Sequence, residues 1–156
     1  KVDLDDTKKP GWKFAEYELK GVPVRIAMGP RDLENGSIEV ARRDTKEKMA
    51  LQMEGAEEVI EALLNKIQDN LFLRSSEFRA DHTTEVNDYD EFKSVLNSKG
   101  GFVAAHWDGT SETEEKIKQE TKATIRCIPL DAKEEQGKCI YTGAPSNKRV
   151  LFAKAY

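Results

Sequence analysis

The sequence predicts an α/β protein built in two units, and three observations carry that expectation. Between residues 22 and 43 apolar side chains alternate with polar ones, the period of a half-buried strand. From Ala56 the spacing becomes i, i+3, i+4, the period of an amphipathic helix. After Gly100-Gly101 short apolar runs return, separated by a helical stretch that begins with acidic residues.

Taken in order, Val2 to Asp6 reads as the end of a strand. Pro10 and Gly11 open a short helix through Lys20, because Pro is tolerated in a first turn. Gly21 stands where the helix end needs a residue free to take positive φ. Val22, Val24, Ile26 and Met28 then alternate with Pro23, Arg25 and Ala27 as a strand, which Gly29-Pro30 ends. Asn35-Gly36 is a turn signal, and Ile38, Val40 and Arg42 alternate with Glu39, Ala41 and Arg43 as the next strand. A tight turn at Asp44-Thr45 leads to a third strand over Lys46 to Leu51.

Ala56, Val59, Ile60, Leu63, Leu64, Ile67, Leu71 and Phe78 line one face of a long helix. Asp88 to Leu96 predicts another, with Asn87 or Asp88 as its cap. Phe102 to Trp107 reads as a buried strand. Thr110 or Ser111 caps a helix to Lys122, with Glu114 three places after Ser111 in capping-box spacing. Thr124 to Leu130 and Val150 to Ala155 complete the strands. The economical division is residues 1–75 and 76–156, joined by the long helix.

The 156 residues are 38% hydrophobic and 35% charged, which suits a folded chain rather than a disordered tail. No apolar run approaches a bilayer span, and KVDLDDTKKP lacks the apolar core of a secretory signal. Cys127 and Cys139 form no C-x-x-C pair and no disulfide framework, so a cytoplasmic, reduced protein is expected. Cys127, inside TIRCIPL, reads as a buried small apolar residue. The net charge of −4 is uneven. Residues 1–53 carry 11 Lys+Arg against 10 Asp+Glu, whereas residues 54–156 carry 14 against 19. A nucleic-acid partner would therefore meet the first third, where counterions can be released. There is no nucleophile elbow, P-loop or metal spacing, which leaves an independent small enzyme without support.

If Val22, Val24, Ile26, Ile38 and Val40 face the core, then Arg25, Ala27, Glu39, Ala41 and Arg43 share the opposite face. Two readings stand for that face. It is either a solvated surface whose charges neutralise one another, or a shallow floor of alanines that a flat base can approach, flanked by forked arginine donors. Glu18 and Lys20 lie just before this strand, and Arg31 and Asp32 just beyond it. Trp12 and Tyr17 either pack the short helix or stack on bases, with packing preferred.

Two long runs, GWKFAEYELKGVPVRIAMGPRD and HWDGTSETEEKIKQETKATIRCIP, together with the ending RVLFAKAY, resemble the C-terminal part of prolyl-tRNA synthetases. The resemblance implies a class II synthetase anticodon-binding fold, a mixed sheet flanked by helices and lacking here its first strand and helix, followed by a small α/β C-terminal domain. It implies that Glu18 and Arg25 read anticodon bases, with a lysine near position 46 or 48 assisting, and by extension Arg31, Asp32, Arg43 and Lys46. The implied partner is tRNA(Pro), and the implied whole is an ATP-dependent, Mg-using proline–tRNA ligase. That enzyme would be a homodimer, its catalytic domain absent here, so this portion would be non-catalytic and need no cofactor. The chemistry agrees, since proline codons begin with CC and every proline anticodon carries two guanines. A carboxylate accepts from guanine N1 and N2, and an arginine donates to O6 and N7. An alternative is a docking module in which residues 86–156 brace the catalytic domain, with Tyr156 directed toward it.

Many relatives also hold a structural zinc through four cysteines. The corresponding positions here are Asp108, Thr113, Cys139 and Thr142, which leave one thiolate where tetrahedral zinc wants Cys or His throughout. No metal is expected. His106 is assigned to packing or the surface, and His82 is given no role.

Overall fold

Residues 1–155 are described in a computed structural model, so the reading of Tyr156 lies outside the described residues. The chain divides into two compact units, Lys1–Ser75 and Ser76–Tyr156, with the boundary inside a long helix.

In the first unit Pro10 occupies the opening position of helix α1 (Pro10–Leu19), where its missing N–H costs no hydrogen bond. Gly21, at φ +81°, lets the chain leave that helix and enter strand β1 (Val24–Ala27). A five-residue helix, α2 (Pro30–Glu34), follows in what the sequence suggested was only a loop. Strands β2 (Ser37–Arg42) and β3 (Lys48–Gln52) then form an antiparallel hairpin, giving the order β1-β2-β3. Ile38 and Val40 point into a core shared with Ala56, Leu63 and Ile67 of helix α3 (Ala56–Asp81). Burying a side chain of that size stabilises by about 1.5–3 kcal/mol.

The register sets the other face. Arg25 pairs with Ala41 and Ala41 with Lys48, while Ala27 pairs with Glu39 and Glu39 with Ala50. Residues directly opposite share a face, so two rows of three, each holding at least one alanine, lie on the side away from Ile38 and Val40.

Three expectations in this unit need correction. Val2 to Asp6 is not a strand: the Asp3 carboxylate accepts from the Asp5 amide at 3.0 Å and Asp5 from the Thr7 amide at 2.8 Å. Such bonds bend the backbone away from a ladder. Val22 and Ile26 are exposed rather than core, because Val22 precedes an edge strand and no described element covers Ile26. On α3 only Ala56, Leu63 and Ile67 are buried, whereas Leu64, Leu71 and Phe78 are exposed. The helix touches its sheet along a stripe narrower than its apolar face.

The second unit adds β4 (Thr83–Glu85), α4 (Tyr89–Ser98), β5 (Phe102–His106), α5 (Ser111–Thr121), β6 (Ala123–Cys127), β7 (Gly137–Lys138), β8 (Pro145–Ser146) and β9 (Arg149–Lys154). Its main sheet runs β4-β5-β9-β6, parallel between β4 and β5 and antiparallel elsewhere. Phe92 of α4 and Phe152 of β9 meet edge to face at 5.2 Å in a core with Val103, Ala105, Ile117 and Val150. The Asp88 carboxylate caps α4, accepting from the Asp90 and Glu91 amides at 2.9 and 3.0 Å.

Thr110, not Ser111, caps α5. The Glu114 carboxylate accepts from the Ile125 amide at 3.1 Å on β6, so no capping box with Ser111 forms. Cys127 is exposed, contrary to expectation, because the register of β6 shifts between Ile125 and Cys127 and the strand ends there rather than at Leu130. The short β4, β7 and β8 carry too few residues to show a period, and the sequence reading did not include them.

Candidate nucleic-acid interface

The site in the first unit grows from three pieces of backbone that the turn residues bring together. The last turn of α1 carries Glu18, β1 carries Arg25, and the β2–β3 turn carries Arg43 and Lys46. Lys46 stands at φ +64°, a left-handed conformation that sends the chain into β3. The Arg43 amide bonds to the Pro23 carbonyl at 2.9 Å, and its guanidinium Nε donates to the Glu18 carbonyl at 2.8 Å. Lys46 Nζ donates to Glu18 Oε2 at 2.7 Å. The loop and the helix end are therefore pinned to each other.

Between them opens a pocket lined by Phe14, Tyr17, Glu18, Val22, Arg25, Ala41, Arg42 and Arg43. Ala41 sits on its floor, and the Arg25 guanidinium lies 3.5 Å above the Phe14 ring, a cation–π arrangement that holds the fork flat. Arg25 Nη1 is buried and has no hydrogen-bond partner among the described residues; Glu39 Oε1 stands 3.7 Å away. A guanidinium nitrogen left so is a donor in want of an acceptor. The Lys46 hydrogen bond and charge, then Arg25 and Arg43, hold the Glu18 carboxyl below its ordinary range, so it is an anion at neutral pH. An anionic acceptor and a planar fork facing one recess suit a ligand edge that carries donors beside acceptors.

Of the six residues expected at an RNA site, Glu18, Arg25, Arg43 and Lys46 come together. Arg31 and Asp32 do not line the pocket. They belong to α2, where Asp32 Oδ2 accepts from the Gly29 amide at 2.8 Å and Arg31 is exposed. Trp12 is half in solvent with the Lys8 ammonium 5.1 Å from its ring, and Tyr17 donates its hydroxyl to Asp3 Oδ2 at 2.9 Å. Sequence reasoning passed over Phe14, although its place four residues before Glu18 puts both on one side of α1.

In the second unit three of the four positions that the resemblance tied to zinc, Asp108, Thr113 and Thr142, are joined by hydrogen bonds. Asp108 Oδ2 accepts from the Thr113 hydroxyl at 2.8 Å and the Thr142 hydroxyl at 2.9 Å. Its Oδ1 accepts from the Thr110 amide at 3.1 Å and hydroxyl at 2.9 Å. Burial pushes the Asp108 carboxyl up, but these bonds outweigh it and hold it at about 2. Cys139 is buried nearby in sequence to Thr142, and its amide bonds to the Ala144 carbonyl at 2.7 Å. Among the described residues no group of three His, Cys, Asp or Glu is placed to hold a metal ion. His106, also buried, sets Nε2 3.0 Å from Glu135 and Nδ1 3.2 Å from Ser146 Oγ.

An α/β unit with an open, cation-flanked sheet face, followed by a second α/β unit, is compatible with a nucleic-acid-binding module with an appended domain. Comparison with known proteins agrees with that class: residues 1–63 match the family model of an anticodon binding domain, and residues 89–156 that of the prolyl-tRNA synthetase C-terminal domain. The chain carries the anticodon-binding and C-terminal domains of the prolyl-tRNA synthetase family. Over 156 residues it is 62% identical to the proline–tRNA ligase of Flavobacterium johnsoniae, 61% to that of Porphyromonas gingivalis and 58% to that of Christiangramia forsetii. All of this chain is covered, against 32%, 31% and 32% of those proteins, so it spans about a third of their length. No helix of the described residues is long and apolar enough to cross a membrane.

Proposed function

We propose that this chain reads the anticodon of proline tRNA as the RNA-binding portion of an ATP- and Mg-dependent proline–tRNA ligase in cytoplasmic protein synthesis. The observation that carries the reading is the meeting of the Glu18 carboxylate and the Arg25 guanidinium in one open pocket. Glu18 accepts from N1 and N2 of one anticodon guanine, and Arg25 offers its fork to a guanine O6 and N7. Lys46 and Arg43 steady Glu18 and supply positive charge to the RNA backbone. Arg31 and Asp32, beyond the end of β1, extend the contact along the anticodon loop. The second unit braces the catalytic domain of a homodimeric enzyme, and this portion needs no cofactor of its own.

The test is binding of proline tRNA and of the same transcript with its two anticodon guanines changed to adenines. Each lost guanine contact should weaken binding by about 1–3 kcal/mol, while the salt dependence stays the same. Equal affinity for the two transcripts would refute anticodon reading.

A further inference from the structure

The turn between β2 and β3 is fastened from below as well as from above. Asp44, the residue between Arg43 and Thr45, turns its carboxylate inward, where only 1% of the side chain meets solvent. Arg42 grips it with Nε to Oδ1 at 3.0 Å and Nη2 to Oδ2 at 2.7 Å. From α3, Asn70 donates its amide to Oδ2 at 2.7 Å, and Arg74 reaches the Asp44 carbonyl at 3.4 Å. Asn70 stands one turn beyond the buried Ile67 and one turn before Arg74, on the side of α3 that meets the β2–β3 turn. A side-chain amide there, aimed at a carboxylate already paired with arginine, does nothing for the apolar core. What it does is tie the turn to the helix. Two residues of the same turn, Arg43 and Lys46, are the ones that hold Glu18 on the open side.

We infer that the Arg42–Asp44–Asn70 cluster is a positioning device, through which helix α3 sets the height of the β2–β3 turn and so the placement of Lys46 and Arg43 against Glu18. Asn70 is the positioning residue of this device and touches no RNA itself. The inference rests on the anticodon reading proposed above. A carboxylate with two bonded oxygens has little freedom, and a connection of only five residues, 43–47, transmits its shift directly to the side chains at its tip.

The experiment measures binding of proline tRNA and of its guanine-to-adenine counterpart by Asn70→Ala, Lys46→Ala and the double variant, with thermal unfolding alongside. Asn70→Ala should weaken binding of the native anticodon about tenfold and leave the adenine transcript unchanged. The double variant should lose clearly less than the sum of the two single losses, since part of the amide's effect passes through that lysine. Full additivity, equal loss on both transcripts, or unchanged discrimination would each overturn the inference. Should Asn70→Ala not fold, Asn70→Ser, shorter but still polar, takes its place and should show the same selective loss. If the parent chain itself fails to separate the two transcripts, the anticodon reading fails. If the parent separates them and the Asn70 variants do so equally well, only the positioning role fails.

Discussion

Each unit is knotted by one inward-facing aspartate, and the two knots use different physics. Asp44 is held by a charged partner: the Arg42 guanidinium first, then the Asn70 amide, keep its carboxyl at about 2 despite burial. Asp108 reaches about 2 against a burial that raises it, with neutral threonine hydroxyls and one amide as donors. Ionisation of a shielded carboxylate therefore needs no opposite charge nearby, provided enough dipoles point at it. The two arrangements differ in what is left behind when the acid is removed. At Asp44 a guanidinium stays behind with 14% of its side chain exposed; at Asp108 only hydroxyls remain, which can turn to other acceptors.

That difference can be broken by substitution. Asp44→Ala leaves the Arg42 charge only the exposed Glu47 carboxylate at 4.0 Å and should lower unfolding stability by about 3 kcal/mol, read by urea titration. Acidification attacks both knots at once. A carboxyl lowered on folding stabilises the native state at every pH above its unfolded value near 3.8 and ceases to do so as pH falls through the folded value near 2. Each should therefore contribute at most about 2 kcal/mol at neutral pH, lost between roughly pH 4 and pH 2, and Asp44→Ala should flatten that acid limb. The smallest effect belongs to Asp108→Asn, which keeps an acceptor for the hydroxyls and should cost about 1 kcal/mol by the same titration. A loss at Asp108 equal to that at Asp44 would show that dipoles and charge are not distinguished by what they leave behind.

Much of this molecule was legible in its sequence where a period or a punctuating residue spoke. Pro10, Gly21, Asn35-Gly36 and the alternation of Ile38 and Val40 located the first helix and the hairpin, and Asp88 the cap of α4. The pairing of β1 with β2 placed Arg25 opposite Ala41, on the face that alternation assigned to both. The misses have physical causes. Two aspartates at Asp3 and Asp5 offered the backbone local partners and abolished an apparent strand. Glu114 was expected to cap its own helix and instead bonded to a neighbouring strand, a choice that only tertiary contact decides. Asn70 carried a readable sign, a polar residue three places after Ile67, but its meaning depended on Asp44, 26 positions earlier in the chain.

Lys46 bonds one oxygen of Glu18, Oε2, so under the anticodon reading proposed above the ammonium orients the carboxylate and leaves Oε1 to a base donor. A base edge with donors can meet that oxygen; an edge presenting an acceptor there meets like charge. Rejection of the wrong base would then follow from a carboxylate that the chain itself keeps turned one way.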